Sequence, residues 1–409
     1  MNSWAKIVCS GVMALAMSGT TLASDWPKWM GPAGTGISTE TGLAESWPSD
    51  GPKKLWSHDV GIGYSSPVAV DGKVYIFAQK DSDDVLSAFD ANSGKPVWSQ
   101  SYKREGDVSY PGTRATPTIE GSRIYTHGSH GDLVCREVAD GKVVWHINVL
   151  KLTNSKPLEW GSASSPVILG DQIFVQGGKE GDAIAVAVNK SSGAIIWKSQ
   201  AKGLSGYATA TVIDVGSAKQ LIIFAGEAVY AMDPATGKTL WTEAWKTDYD
   251  INAATPLFHD GKLLLTSQRN FGSMLISVTQ DGHKKEWEKK DISSKFQPPI
   301  LDGGVVYVNS NGSLKCVSWP DSTVKWTATP RDANLGAGGS IVRVGDKLIA
   351  LSERGKLSLL QATPAAYKLI SSFDLFDYSQ VWSTPLIYNG KLFAKGETDL
   401  VCLDISAGK

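Results

Sequence analysis

No charge of either sign prevails in this chain: 40 lysines and arginines stand against 41 aspartates and glutamates, for a formal net charge of −1. That balance excludes a general electrostatic attraction to nucleic acid or to an anionic membrane surface. Beyond its first 23 residues the sequence has no apolar run that approaches the roughly 20 residues a membrane-spanning helix requires, and no amphipathic helical stretch of useful length. Cysteine is scarce, with four residues in 409, and no C-x-x-C-H haem site occurs. Of the six histidines only His127 and His130 lie close together, and at that spacing a strand turns their rings to opposite faces, which argues against a metal pair. Gly177-Gly178-Lys179-Glu180-Gly181 lacks the spacing and the following helix of a phosphate loop, and no G-x-S-x-G elbow is present.

What the sequence has is repetition. A small residue and usually a proline lead into a short apolar strand, a Gly/Asp turn and a second strand, as in S-S-P-V-A-V-D-G-K-V-Y-I (Ser65 to Ile76), A-T-P-T-I-E-G-S-R-I-Y-T (Ala115 to Thr126) and S-S-P-V-I-L-G-D-Q-I-F-V (Ser164 to Val175). Further copies begin at Ala208, Ala254, Gln297, Gly339 and Ser383, eight in all. A second phrase follows the first, clearest as A-F-D-A-N-S-G-K-P-V-W (Ala88 to Trp98) and A-M-D-P-A-T-G-K-T-L-W (Ala231 to Trp241). Trp56, Trp98, Trp145, Trp197, Trp241, Trp287 and Trp326 mark the period, with Phe373 in the eighth place, at steps of 39 to 52 residues. Repeats of this length with period-two apolar patterning predict an all-β, eight-bladed β-propeller of four-stranded antiparallel blades.

The two chain ends complete each other. The last repeat stops at Leu400-Val401-Cys402-Leu403-Asp404-Ile405-Ser406-Ala407-Gly408-Lys409, short of its Trp, and Lys54-Leu55-Trp56 supplies the missing piece. The N-terminal strand is therefore expected to close the ring and remove its open edges. This reading divides the chain into a signal peptide over 1–23, an extended segment packing on the propeller over 24–50, and the propeller over 51–409. Lys6, the apolar stretch Ile7 to Met17 and the small-residue site Thr21-Leu22-Ala23 carry the leader reading, and with it export to the periplasm or beyond. Cys9 follows Val8 and falls too early to be a lipid-attachment cysteine. Cys135, Cys316 and Cys402 occupy the same repeat slot as Ala88 and Ala231, so they are expected to be buried, unpaired thiols in separate blades.

The phrase A-x-D-x-x-[T/S]-G-K-x-x-W resembles the tryptophan-docking repeat of the pyrroloquinoline quinone (PQQ) propellers, found in quinoprotein alcohol dehydrogenases and in BamB-like outer-membrane assembly proteins. The opening D-W-P-K-W-M-G-P-A-G-T-G-I-S (Asp25 to Ser38) and E-W-G-S-A-S-S-P (Glu159 to Pro166) also resemble exported PQQ-repeat proteins, some labelled polyvinyl-alcohol dehydrogenases. The resemblance covers about residues 25 to 409. It implies either a cell-envelope binding or assembly scaffold, whose partners are envelope proteins or a small molecule, or a PQQ- and Ca²⁺-dependent dehydrogenase of alcohols or polyols. A monomer is expected. In both cases the site belongs where the loops leading into the innermost strands converge on the channel. Those loops carry Tyr64, Arg114, Trp160, Tyr207, Lys295 and Trp382 as candidates for holding a flat anionic cofactor, Glu159 and Asn252 as candidate Ca²⁺ ligands, and Asp250 as the candidate base of an enzyme. The neighbouring-cysteine pair that covers the quinone in many such dehydrogenases is missing, and the chain is shorter than most of them, which favours the scaffold.

Overall fold

The alternation of valine, isoleucine and leucine with polar residues makes short strands, and the turns between them fix their pairing. Asp71-Gly72, Asp260-Gly261 and Asn389-Gly390 all have positive φ at both positions, the two-residue hairpin turn that matches the natural twist of adjacent strands. The computed structural model describes residues 25–407 apart from 269–270, 281, 330 and 378–379; the leader expected over 1–23 lies outside the described residues.

Eight antiparallel sheets result, each a meander of four strands. Blade 1 runs through Val68–Val70, Lys73–Lys80, Asp83–Asp90 and Pro96–Lys103. Blades 2 to 7 span 118–148, 167–198, 211–244, 257–289, 300–327 and 340–374. Blade 8 takes Leu386–Tyr388, Lys391–Lys395 and Asp399–Asp404 from the C-terminal end, and Lys54–Asp59 as its outer strand, with Trp56 opposite Cys402. The ring is an eight-bladed propeller closed by the N-terminal strand, as the repeat count predicts.

The apolar core lies between neighbouring blades, and the anchor rings sit at its outer end. The Trp98, Trp145, Trp197 and Trp326 indoles donate to Val138, Lys190, Pro234 and Thr363 carbonyls of the following blade at 2.8–3.0 Å. The Trp56, Trp98, Trp145 and Trp197 rings lie on turn glycines of the following blade: a methyl on Gly94 would stand 2.6 Å from the Trp56 ring and one on Gly141 2.7 Å from Trp98. Phe373 meets Gly51 in the same way, at 2.5 Å, and adds an edge contact with Trp47. The residue across the ladder is small at six anchors, where Ala88, Ala187 and Ala231 share the place with the three cysteines, and is leucine opposite Trp287 and Phe373. Cys135 faces Trp145, Cys316 faces Trp326 and Cys402 faces Trp56. All three are buried free thiols, with ionisation pushed up to about 11, 11 and 12 by burial.

Residues 25–38 do something the repeats do not. Trp26 exchanges backbone hydrogen bonds with Ala69 of blade 1, and the Pro27 carbonyl accepts from Ile119 of blade 2. Trp29 donates to Thr255 Oγ1 ahead of blade 5, Met30 packs in the core of blades 6 and 7, and Ile37–Ser38 adds a parallel strand to the inner edge of blade 7. The segment thus crosses the central channel from one side of the ring to the other. No helix among the described residues is long and apolar enough to cross a membrane.

Candidate functional site

The loops that lead into the innermost strands are held by two polar systems. One is the small residue before the proline. Thr384 N–H donates to Ser66 Oγ (2.8 Å), Ser66 N–H to Thr116 Oγ1 (3.2 Å), Thr116 N–H to Ser165 Oγ (2.9 Å) and Ser165 N–H to Thr209 Oγ1 (3.1 Å). Backbone amides that no strand partner would satisfy are thereby paired, and blades 8, 1, 2, 3 and 4 are tied in sequence around the channel. The other system sits at the end of the second strand in blades 2, 3, 5, 6 and 8, in a slot two residues beyond the aromatic or aliphatic residue facing the innermost strand. There His127 Nδ1 donates to Ser164 O (2.9 Å), Gln176 Nε2 to Ala208 O (2.7 Å), Asn309 Nδ2 to Gly336 and Gly339 O (2.8 Å each) and Lys395 Nζ to Gly63 O (3.3 Å), while Thr266 Oγ1 accepts from Ser294 N–H (2.9 Å). Each buried polar group fastens the loop of the next blade, and those loops carry the site.

A cup of about 530 Å³ opens at this end of the channel, within the range of small-molecule sites. Tyr64, Arg114, Trp160, Tyr207, Lys295 and Trp382 all line it, so the structure brings the six candidate cofactor-holding residues together. Trp382 is the hub: its ring centroid lies 4.5 Å from Tyr64, 5.1 Å from Phe296 and 5.6 Å from Tyr110, and the Lys295 ammonium stands 5.2 Å above it. The Trp382 indole donates to Glu353 Oε1 (3.0 Å). Arg114 donates to the backbone carbonyls of Ser109 (2.8 Å), Tyr110 and Gly112, fixing the loop it ends, and lies 5.6 Å over the Tyr64 ring. Burial pulls its ionisation down to about 10. Tyr64 and Tyr207 are shifted upward by the same cause, with a hydrogen bond between the Tyr207 hydroxyl and the Trp160 backbone acting against it.

Glu159, Asn252 and Asp250 are not brought into the lining. Asn252 is fully buried, and its amide is fully used. Nδ2 donates to Ala225, Gly226 and Trp245 carbonyls (2.7, 3.1 and 3.3 Å), and Oδ1 accepts from Ser267 Oγ (2.9 Å) and Thr247 Oγ1 (3.3 Å). Glu159 is exposed outside the cup. Asp250 is half-buried in a turn with φ 56°, and burial raises its ionisation, with Lys246 opposing. Among the described residues no three His, Cys, Asp or Glu side chains gather as a metal group. The donors needed for Ca²⁺ beside a quinone therefore do not fit this cup.

Several lining residues escape a reading of the repeats. Trp29 forms part of the floor because residues 25–38 cross the channel, which turns an open passage into a blind cup. Tyr110, exposed and at φ 58°, stands between Trp160 (5.7 Å) and Trp382 (5.6 Å). Gln268, Glu353 and Gln380 complete the polar edge. Tyr110 lies in the long connection between blades 1 and 2, whose excess length was the one signal in the sequence; Gln268 and Gln380 left none.

The chain matches the family described as outer membrane protein assembly factor BamB over residues 37–181, 82–328 and 225–409. It belongs to that family. This BamB-type propeller is 22% identical over 297 residues to the outer membrane protein assembly factor BamB of Moranella endobia, covering 68% of this chain and 70% of the relative. It is 26% identical over 159 residues to the quinoprotein ethanol dehydrogenase of Pseudomonas aeruginosa, but that match takes in 36% of this chain and only 25% of the dehydrogenase. Among solved structures it resembles BamB from Moraxella catarrhalis (TM-score 0.63, 16% identity, 87% of this chain and 98% of the other). A europium-containing methanol dehydrogenase is also similar (TM-score 0.67, 12% identity, 90% and 89%). At these identities the two structures speak for the fold alone.

Proposed function

We propose that this BamB-type propeller is an exported, cell-envelope binding or assembly module that recognises its partner on the face holding the aromatic cup. The observation that carries the reading is the engagement of the groups an enzyme would need. Asn252 is spent on five hydrogen bonds, Glu159 and Asp250 lie outside the lining, and Arg114 is committed to three backbone carbonyls. What remains is an aromatic recess with a polar edge, the composition of recognition surfaces. The likeness to a family described as an assembly factor supports the same reading. A second reading, a PQQ- and Ca²⁺-dependent dehydrogenase of alcohols or polyols, is favoured by the aromatic and cationic lining at the channel mouth and by the partial likeness to a quinoprotein ethanol dehydrogenase.

The test is capture from a detergent-solubilised envelope extract with the tagged mature chain. Wild-type protein should retain envelope components that a Tyr110→Ala, Lys295→Glu double variant loses while its melting temperature stays unchanged. An unchanged capture pattern, together with alcohol-dependent dye reduction on adding PQQ and Ca²⁺, would overturn the proposal.

A further inference from the structure

We infer that the cup binds a neutral, ring-shaped polyhydroxyl compound, a saccharide; this rests on the binding-module reading above. The groups left available in the cup select its ligand. Three charged side chains line the cup among the described residues, Arg114, Lys295 and Glu353, and each is already engaged. The Arg114 guanidinium holds three carbonyls of its own loop. The Lys295 ammonium rests on the Phe296 and Trp382 rings at 4.5 and 5.2 Å. The Glu353 carboxylate accepts from the Trp382 indole at 3.0 Å and from Gly338 N–H at 3.1 Å. An anionic ligand at Arg114 would have to draw the guanidinium away from the carbonyls that fix its own loop, and one at Lys295 would compete with the ring contacts that hold the ammonium, so the net gain from either charge is small.

The polar groups left over are neutral. Gln268 is 5% exposed, faces the cup, and its side-chain amide makes no hydrogen bond among the described residues; it offers both a donor and an acceptor. The Ser165, Thr209 and Thr255 oxygens each accept one bond, from Thr116 N–H, Ser165 N–H and the Trp29 indole, which leaves each hydroxyl proton to be donated. Around this neutral floor stand aromatic walls. A sugar ring presents C–H faces to aromatic planes and hydroxyls at its edge, which matches apolar walls and neutral donors and acceptors together. A flat aromatic without hydroxyls would leave Gln268 unpaired.

The experiment exposes the labelled full-length mature chain to an array of neutral glycans and follows retained glycans by calorimetry, with PQQ plus Ca²⁺ in parallel. The expected result is at least one retained neutral glycan whose affinity changes less than twofold between about 20 and 500 mM salt, since no unscreened charge pair is made. Gln268→Ala should weaken it about tenfold, the loss of one or two neutral hydrogen bonds. In wild-type protein the bound glycan should protect tryptophan fluorescence from acrylamide, a readout independent of the variant's folding. If no neutral glycan is retained above the level of a heat-denatured control, the saccharide inference falls. In that event, envelope proteins still captured through this face leave the binding-module reading standing, whereas PQQ binding with alcohol turnover removes both. Glycan binding that is unchanged in a well-folded Gln268→Ala protein and gives no fluorescence protection also overturns the inference, because the sugar then sits elsewhere.

Discussion

Asp84 is a buried carboxyl outside the cup. It is 1% exposed, between blades 1 and 2, and burial pushes its carboxyl up to about 6, against the Tyr102 hydroxyl (3.0 Å) and the Arg104 guanidinium, with Asp132 adding to the rise and Arg114 opposing it. The unfolded chain loses this proton near 3.8. Between those values the folded protein binds more protons than the unfolded one, so this carboxyl's stabilising contribution is complete below about pH 4 and is lost as the pH rises through about 6. Asp84→Asn should flatten that part of the stability profile by about 2 to 3 kcal/mol, as read from urea melts at pH 4 and pH 7. An unchanged profile would assign the burial elsewhere. The same scale explains the polar slot residues: Gln176, Asn309 and Lys395 are buried because loop backbone needs partners there. Blade 1 reaches the same end differently, with Phe77 in the slot and Thr113 donating to its carbonyl at 2.7 Å.

Among the elements, the two N-terminal pieces have separable jobs. Lys54–Asp59 completes blade 8 and seats Trp56 on blade 1, whereas residues 25–38 close the channel beneath the cup. Deleting 24–60 should therefore abolish the cooperative melt by leaving the Asp399–Asp404 strand of blade 8 as an unpaired edge and removing Trp56 from blade 1. Deleting 24–45 should lower the melting temperature by less and admit acrylamide to the tryptophans of the cup from below. Equal melting temperatures would contradict this division of roles. The first of these pieces was legible in the sequence because the truncated last repeat lacked its Trp and Lys54-Leu55-Trp56 supplied it. The second was not, since Trp26, Trp29 and Ile37 pair with strands that lie far away in sequence and obey no repeat. The blade turns were readable for the opposite reason: Asp71-Gly72 and Asn389-Gly390 encode their geometry locally.

At the scale of the whole molecule, the ring converts eight similar loops into one face, and the differences between the copies make the site. Repetition made the fold and the position of the cup readable from the sequence, together with the six residues that line it from the expected loops. It could not tell which polar groups are spent: Asn252 reads as an oxygen ligand until its five hydrogen bonds are seen, and Arg114 reads as a carboxylate partner until its three carbonyls are. Hydrogen-bond saturation is a property of the assembled ring. The most direct measurement of the account is a calorimetric titration of residues 24–409 with PQQ and Ca²⁺ at low ionic strength, where any charge pairing is strongest. A cup whose cations are already engaged predicts no binding tighter than about a millimolar; micromolar binding that Arg114→Ala weakens at least tenfold would contradict it.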